Sequence, residues 1–164
     1  MAINEAFIAE IQQEAVATRQ MLERIPAETF DWKPHEKSMS MRQLSVLVAT
    51  MFGWPVLMLD EDELDFAKGW KQPEPKTTQE LVDIFDEQAA AGVGSLKNAG
   101  DDVFAQDWTM RNGDQIYMKL PKLEVMRQTI NHMAHHRGQL SVYLRLKDIP
   151  VPAIYGPSAD EGEM

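Results

Sequence analysis

The chain contains no cysteine among its 164 residues, which excludes disulfides, thiolate zinc sites, iron–sulfur clusters and a cysteine nucleophile. Any thiol chemistry must therefore use a thiol from another molecule. Basic residues are also scarce, 16 against 26 acidic ones, for a formal net charge of −10. Phosphate backbones are bound mainly through Lys and Arg, so this balance predicts no nucleic-acid partner. The first residues have no basic stretch leading into an apolar run, which predicts no leader peptide and a cytoplasmic location. The longest uncharged run, Gln43 to Leu59, carries Gln43, Ser45, Thr50, Gly53 and Pro55, so it reads as a buried helix and no membrane partner is expected. With 44% hydrophobic residues over this length, one globular domain spanning 1–164 is predicted.

Helical periodicity dominates what is present. Ile3, Phe7, Ile11, Ala15, Thr18, Leu22 and Ile25 recur three or four apart and predict a first helix over 4–25, capped by Asn4 and closed by Pro26. Ser40 and Gln43 form a capping box that opens a second helix, with Leu44, Leu47, Val48 and Met51 on one face and a break at Gly53 and Pro55. Asp60 to Phe66 holds five acids in seven positions without the spacing of a calcium loop, and reads as a solvated acidic turn. A second box, Thr77 to Glu80, starts a third helix whose small residues from Ala89 to Gly94 permit close helix approach. Asn112-Gly113 lies between strand-like segments and predicts a two-residue hairpin turn. A fourth helix over 122–147 follows, with Leu123, Met126, Ile130, Met133, Leu140 and Leu144 inward and Arg137 on the same stripe. The expectation is an all-α four-helix bundle with a short hairpin between helices three and four, and a proline-rich C-terminal strap over 148–164.

Three of the four histidines fall within His132-Met133-Ala134-His135-His136. At about 100° per residue, His132 and His136 sit one turn apart on one helix face, where two imidazoles can meet a single ion. A zincin would require glutamate where Met133 stands, so that protease class is excluded. Hydrogen-bonded core histidines are the alternative reading of the pair. Arg137 is expected to meet a carboxylate of helix one or three, with a substrate anion as the alternative. Tyr143 is expected to flank the core.

The string His132-Met133-Ala134-His135-His136-Arg137-Gly138-Gln139-Leu140, then Tyr143-Leu144-Arg145, and the ending Pro152 to Glu161 resemble the DinB-like (YfiT-type) family. Trp32-Lys33-Pro34 ahead of Ser38-Met39-Ser40 and a helix ending near Trp54 extend the likeness over nearly the whole chain. The resemblance implies an up-down-down-up bundle, a homodimer, and a divalent metal held by one helix-two and two helix-four histidines. His132 and His136 match the helix-four pair, whereas the helix-two histidine is matched by Leu47, which cannot ligate. A third ligand is left to His35, Glu80, Glu87 or water, so zinc or nickel is expected to be weakly held or absent. Leu47, Arg137 and Tyr143 are the expected pocket residues.

Two functional classes follow. One is the family's metal-dependent transfer of a low-molecular-weight thiol, or hydrolysis, in which the metal lowers the pKa of a bound nucleophile. The other is a non-catalytic bundle that binds a small apolar ligand or acts through its dimer surface. An acidic docking segment at Asp60 to Asp65 for a basic partner is a third, carried by charge alone.

Overall fold

A computed structural model describes residues 2–162; Met1 and the last two residues of the expected strap lie outside it. Four helical stretches enclose one hydrophobic cluster. They are α1 (Ile3–Glu23), the broken pair α2 (Met41–Thr50) and α3 (Trp54–Asp60), α4 (Thr78–Lys97) and α5 (Lys122–Leu146). α1 packs on α4, and the α2–α3 pair packs on both α4 and α5.

The helix starts show how local sequence sets these elements. Ser40 accepts the Gln43 N–H at 3.2 Å while the Gln43 side chain accepts the Ser40 N–H at 2.8 Å, so two of the free amides at the start of α2 are satisfied reciprocally. Thr77 accepts the Glu80 N–H at the start of α4, and Glu80 accepts the Lys76 N–H. A 3-10 turn at Met51–Gly53 separates α2 from α3, and Pro55 sits in the first turn of α3, where its missing N–H costs nothing. The apolar stretch Met41–Asp60 is long enough to cross a membrane, yet more than half of it is buried inside the protein. Gly92 of α4 faces this break: a Cβ there would lie 2.1 Å from the Phe52 carbonyl oxygen. Only glycine admits that approach.

Three expectations need correction. The cap of α1 is Ala2, with the Glu5 carboxylate accepting the Ala2 N–H; Asn4 instead donates to the Leu96 carbonyl across the bundle. The hairpin turn lies one residue later than Asn112-Gly113. Its two loop residues are Gly113 and Asp114, with Asn112 paired to Gln115. Gly113 takes φ 57°, as a turn needing a left-handed first residue requires.

The third correction concerns fold class: the protein is mostly helical but not all-α. Strands β1 (Glu63–Asp65), β2 (Asp107–Asn112) and β3 (Gln115–Pro121) form a mixed sheet in that order, β1 parallel to β2 and β2 antiparallel to β3. The acidic segment is thus solvated at Asp60, Glu61 and Asp62 but a strand, not a turn, from Glu63 to Asp65. Asp65 accepts the Gly113 N–H at 2.9 Å and the Ala67 N–H at 3.0 Å, and these bonds hold its carboxyl below the ordinary range. Glu63 pairs with Lys68 and Arg111, and Asp62 with the buried Lys122. Each of these acids fastens the sheet to its surroundings.

The chain leaves α5 through Asp148, which adopts φ 55°. The following segment is tied to the bundle by arginines: Asp160 accepts from Arg145 and from the Val151 N–H, Glu161 from Arg24, and Pro150 from Arg24.

Candidate functional site

His132 and His136 project from consecutive turns of α5, with His136 buried and His132 at the surface. Their Nε2 atoms are 2.7 Å apart and their ring centroids 4.4 Å apart. On its other side, His136 Nδ1 lies 2.7 Å from Gln139 Oε1. The donor in each of these two contacts is set by the tautomers of the two rings. Desolvation of the His132 ring, followed by the neighbouring His136 and His135, lowers its pKa and favours its neutral form.

His132 lines a cavity of ≈ 610 Å³. Trp54 at the start of α3, Phe66 just after β1, Met110 on β2, and Tyr117 and Met118 on β3 form one wall. α5 supplies Val125, Gln128, Thr129 and His132 on the other. The sheet thus has a direct role in the site, because β1 delivers Phe66 to within 6.5 Å of the Tyr117 ring. No Asp, Glu, Lys or Arg is among the lining residues. Thr129 does not offer its proton to the cavity, since its hydroxyl donates to the Val125 carbonyl at 2.9 Å.

Leu47, Arg137 and Tyr143 do not line this cavity. Leu47 is half-buried against the hydrophobic cluster from α2. Tyr143 donates to the Met39 carbonyl at 3.1 Å and meets the Trp32 ring edge-on at 5.7 Å, holding the loop before α2 against α5. Arg137 points toward α1, where it binds the Glu14 carboxylate, the Thr18 hydroxyl at 3.0 Å and the Tyr155 hydroxyl at 2.6 Å. The wall residues Phe66, Met110, Tyr117 and Met118 were not singled out from sequence. The signal for Met110, Tyr117 and Met118 was the hairpin itself, whose apolar side chains had no helix stripe to join; Phe66 lies outside it, just after β1.

The donor set for a metal is two imidazole nitrogens. His35 accepts the Lys37 N–H within its own loop, and Glu80 is engaged at the start of α4. Among the described residues no group of three or more His, Cys, Asp or Glu converges. The residues present do not fit a resident three-ligand centre, which needs one more strong donor.

The family model described as the DinB family matches residues 1–163. An uncharacterised protein of Bacillus subtilis (strain 168), YrdA, is 26% identical over 156 residues, 94% of this chain and 89% of YrdA. The crystal structure of a DinB-like protein from Bacillus cereus ATCC 10987 superposes with a TM-score of 0.67 at 20% identity, covering 92% of this chain and 97% of that one. A DinB-like protein of Bacillus subtilis, YjoA, gives a TM-score of 0.69 at 18% identity, covering 88% of this chain and 95% of that one. The two structural likenesses bear on the fold.

Proposed function

Because the chain belongs to the DinB family, we propose that it keeps the family's bundle and uses the cavity beside His132 to bind a small, mainly apolar molecule without a tightly held metal. The observation that carries this reading is the composition of the cavity: aromatic, methionine and valine side chains with Gln128, Thr129 and His132 as the polar members, and no charged group among them. Burial of apolar ligand surface against such a wall supplies the binding free energy, at roughly 25 cal/mol per Å² before the cost of association. The incomplete donor set supports the same reading from the other side. The proposal includes an up-down-down-up course of the helices and a homodimer, both as the family resemblance implies.

The test is titration with the uncharged dye N-phenyl-1-naphthylamine, followed by fluorescence. Saturable binding is expected, and Met118→Trp, which fills the cavity, should remove it. Absence of saturable binding to the unmodified protein overturns the reading.

A second reading is favoured by one observation, the convergence of two Nε2 atoms with Gln139 orienting His136. In it, His132 and His136 hold zinc or nickel weakly, and the protein transfers a low-molecular-weight thiol or hydrolyses a substrate. Such a metal would supply a thiolate or hydroxide at neutral pH. Activity on electrophiles with bacillithiol, mycothiol or glutathione at saturating zinc or nickel would support it; its absence with all three and in hydrolase assays removes it.

A further inference from the structure

We propose that Tyr117 sets the class of ligand the cavity takes: together with Phe66 it clasps an uncharged molecule carrying a flat aromatic ring, in preference to a saturated ring of the same size. This rests on the apolar-ligand reading above and adds the chemistry of the ligand and the residue that selects it. Met110 pairs with Met118 and Arg111 with Ile116, so Tyr117 has no partner on β2 and is the extra residue of a β-bulge. Consecutive side chains of a regular strand point to opposite faces, yet Tyr117 and Met118 both line the cavity. The bulge thus re-aims one aromatic side chain. Tyr117 remains 53% exposed, which puts it at the rim of the cavity, where an entering ligand meets it.

Phe66 and Tyr117 are held in fixed relation. Asp65, the residue before Phe66, accepts the Gly113 N–H at 2.9 Å, and Arg111 donates to the Gly113 carbonyl at 2.6 Å while pairing with Glu63. These bonds tie the hairpin to β1, so the two rings are positioned before any ligand arrives and little ordering remains to be done on binding. The rings lie 6.5 Å apart and 54° out of parallel, and Phe66 also meets the Trp70 ring edge-on at 6.4 Å. A further aromatic ring can join such a tilted series through its own face or edge, and the thioethers of Met110 and Met118 favour the same kind of surface. A saturated ring gains burial alone. A charged ligand would lose its hydration with no opposite charge among the lining residues to meet.

2-Phenylethanol and 2-cyclohexylethanol differ in the ring alone. Burial by itself favours the saturated alcohol, the more hydrophobic of the two, so a preference for the aromatic one reports on the clasp. Both would be titrated by ligand-observed NMR against the unmodified protein, Tyr117→Leu and Tyr117→Phe, substitutions at a half-exposed position that leave the hydrophobic cluster intact. 2-Phenylethanol should bind about fivefold more tightly to the unmodified protein. Tyr117→Phe should keep that preference, and Tyr117→Leu should lose it while still binding 2-cyclohexylethanol. Equal binding of the two alcohols to the unmodified protein, or tighter binding of the saturated one, overturns the proposal and leaves the cavity reading standing. A preference that survives in Tyr117→Leu overturns it as well, because another wall residue then selects the ring. Loss of the preference in Tyr117→Phe does the same, because the hydroxyl and not the ring then reads the ligand. If neither alcohol binds, the proposal falls, and the cavity reading is decided by the dye titration alone.

Discussion

Glu14 of α1 and Arg137 of α5 form an ion pair almost shut off from water, with side-chain exposures of 12% and 4%. The guanidinium also donates to the Glu14 carbonyl at 3.1 Å and to Tyr155 of the C-terminal segment, so one side chain joins two helices and the tail. Removing the carboxylate leaves a cation buried without its counter-charge. Glu14→Ala is expected to cost about 3 kcal/mol in chemical denaturation, and the double variant Glu14→Leu with Arg137→Met less, because it leaves neither charge stranded. A double variant that loses more than Glu14→Ala would mean that the hydrogen bonds of the guanidinium, not charge compensation, hold this junction.

Gly92 and Gly94 lie two residues apart on α4 and should respond oppositely to alanine. A Cβ at Gly92 meets a backbone oxygen of the α2–α3 break, which can move only if the break moves. Gly92→Ala is expected to destabilise by about 1–3 kcal/mol. A Cβ at Gly94 meets nothing within 4 Å, so Gly94→Ala gains helix propensity of up to about 1 kcal/mol. Thermal melts of the two variants check both signs. Equal effects would mean that α4 is not seated tightly on the break.

The parts of this fold that were legible in sequence are those set within a few residues. Ser40 with Gln43, Thr77 with its helix, and the break at Gly53 and Pro55 all depend on local hydrogen bonds or their loss. β1 was not legible, because Glu63-Leu64-Asp65 is short and acidic and pairs with Thr109 to Arg111, far along the chain. The same limit governed the site. The convergence of His132 and His136 is a property of one helix and could be read from their spacing. Which neighbours face them is a tertiary matter: the adjacent Arg137 turns to α1, and the cavity wall comes from a sheet that periodicity on α5 does not describe.

Asp160 predicts how acid acts on the C-terminal segment. Its bond to Arg145, and next its bond to the Val151 N–H, hold its pKa below the ordinary 3.8. A carboxyl depressed in the folded state contributes stability above its unfolded value, and that contribution is lost as pH falls through the lower folded value. The tie is therefore complete at about pH 5 and weakens below the ordinary value. Tail amides should be protected from hydrogen exchange at neutral pH and lose that protection in strong acid before the helices do. Asp160→Asn should show the loosened tail already at pH 7. Unchanged protection in that variant would mean that Arg24 with Glu161 suffices to hold the segment.

The final prediction concerns Leu47, where family resemblance matches a histidine and this chain has an isobutyl group. With two imidazoles alone, zinc and nickel should bind weakly in calorimetric titration, and His132→Ala or His136→Ala should each abolish the binding. Leu47→His supplies the donor that the pair lacks. Each tenfold gain in affinity corresponds to about 1.4 kcal/mol, and a third imidazole in reach should provide at least one such step. The control is the same substitution combined with His136→Ala, which should return the affinity to the weak level. If Leu47→His leaves zinc and nickel affinity unchanged, position 47 does not face the histidine pair. The weak metal binding of this chain would then reflect the different course of α2 and not the loss of a single ligand.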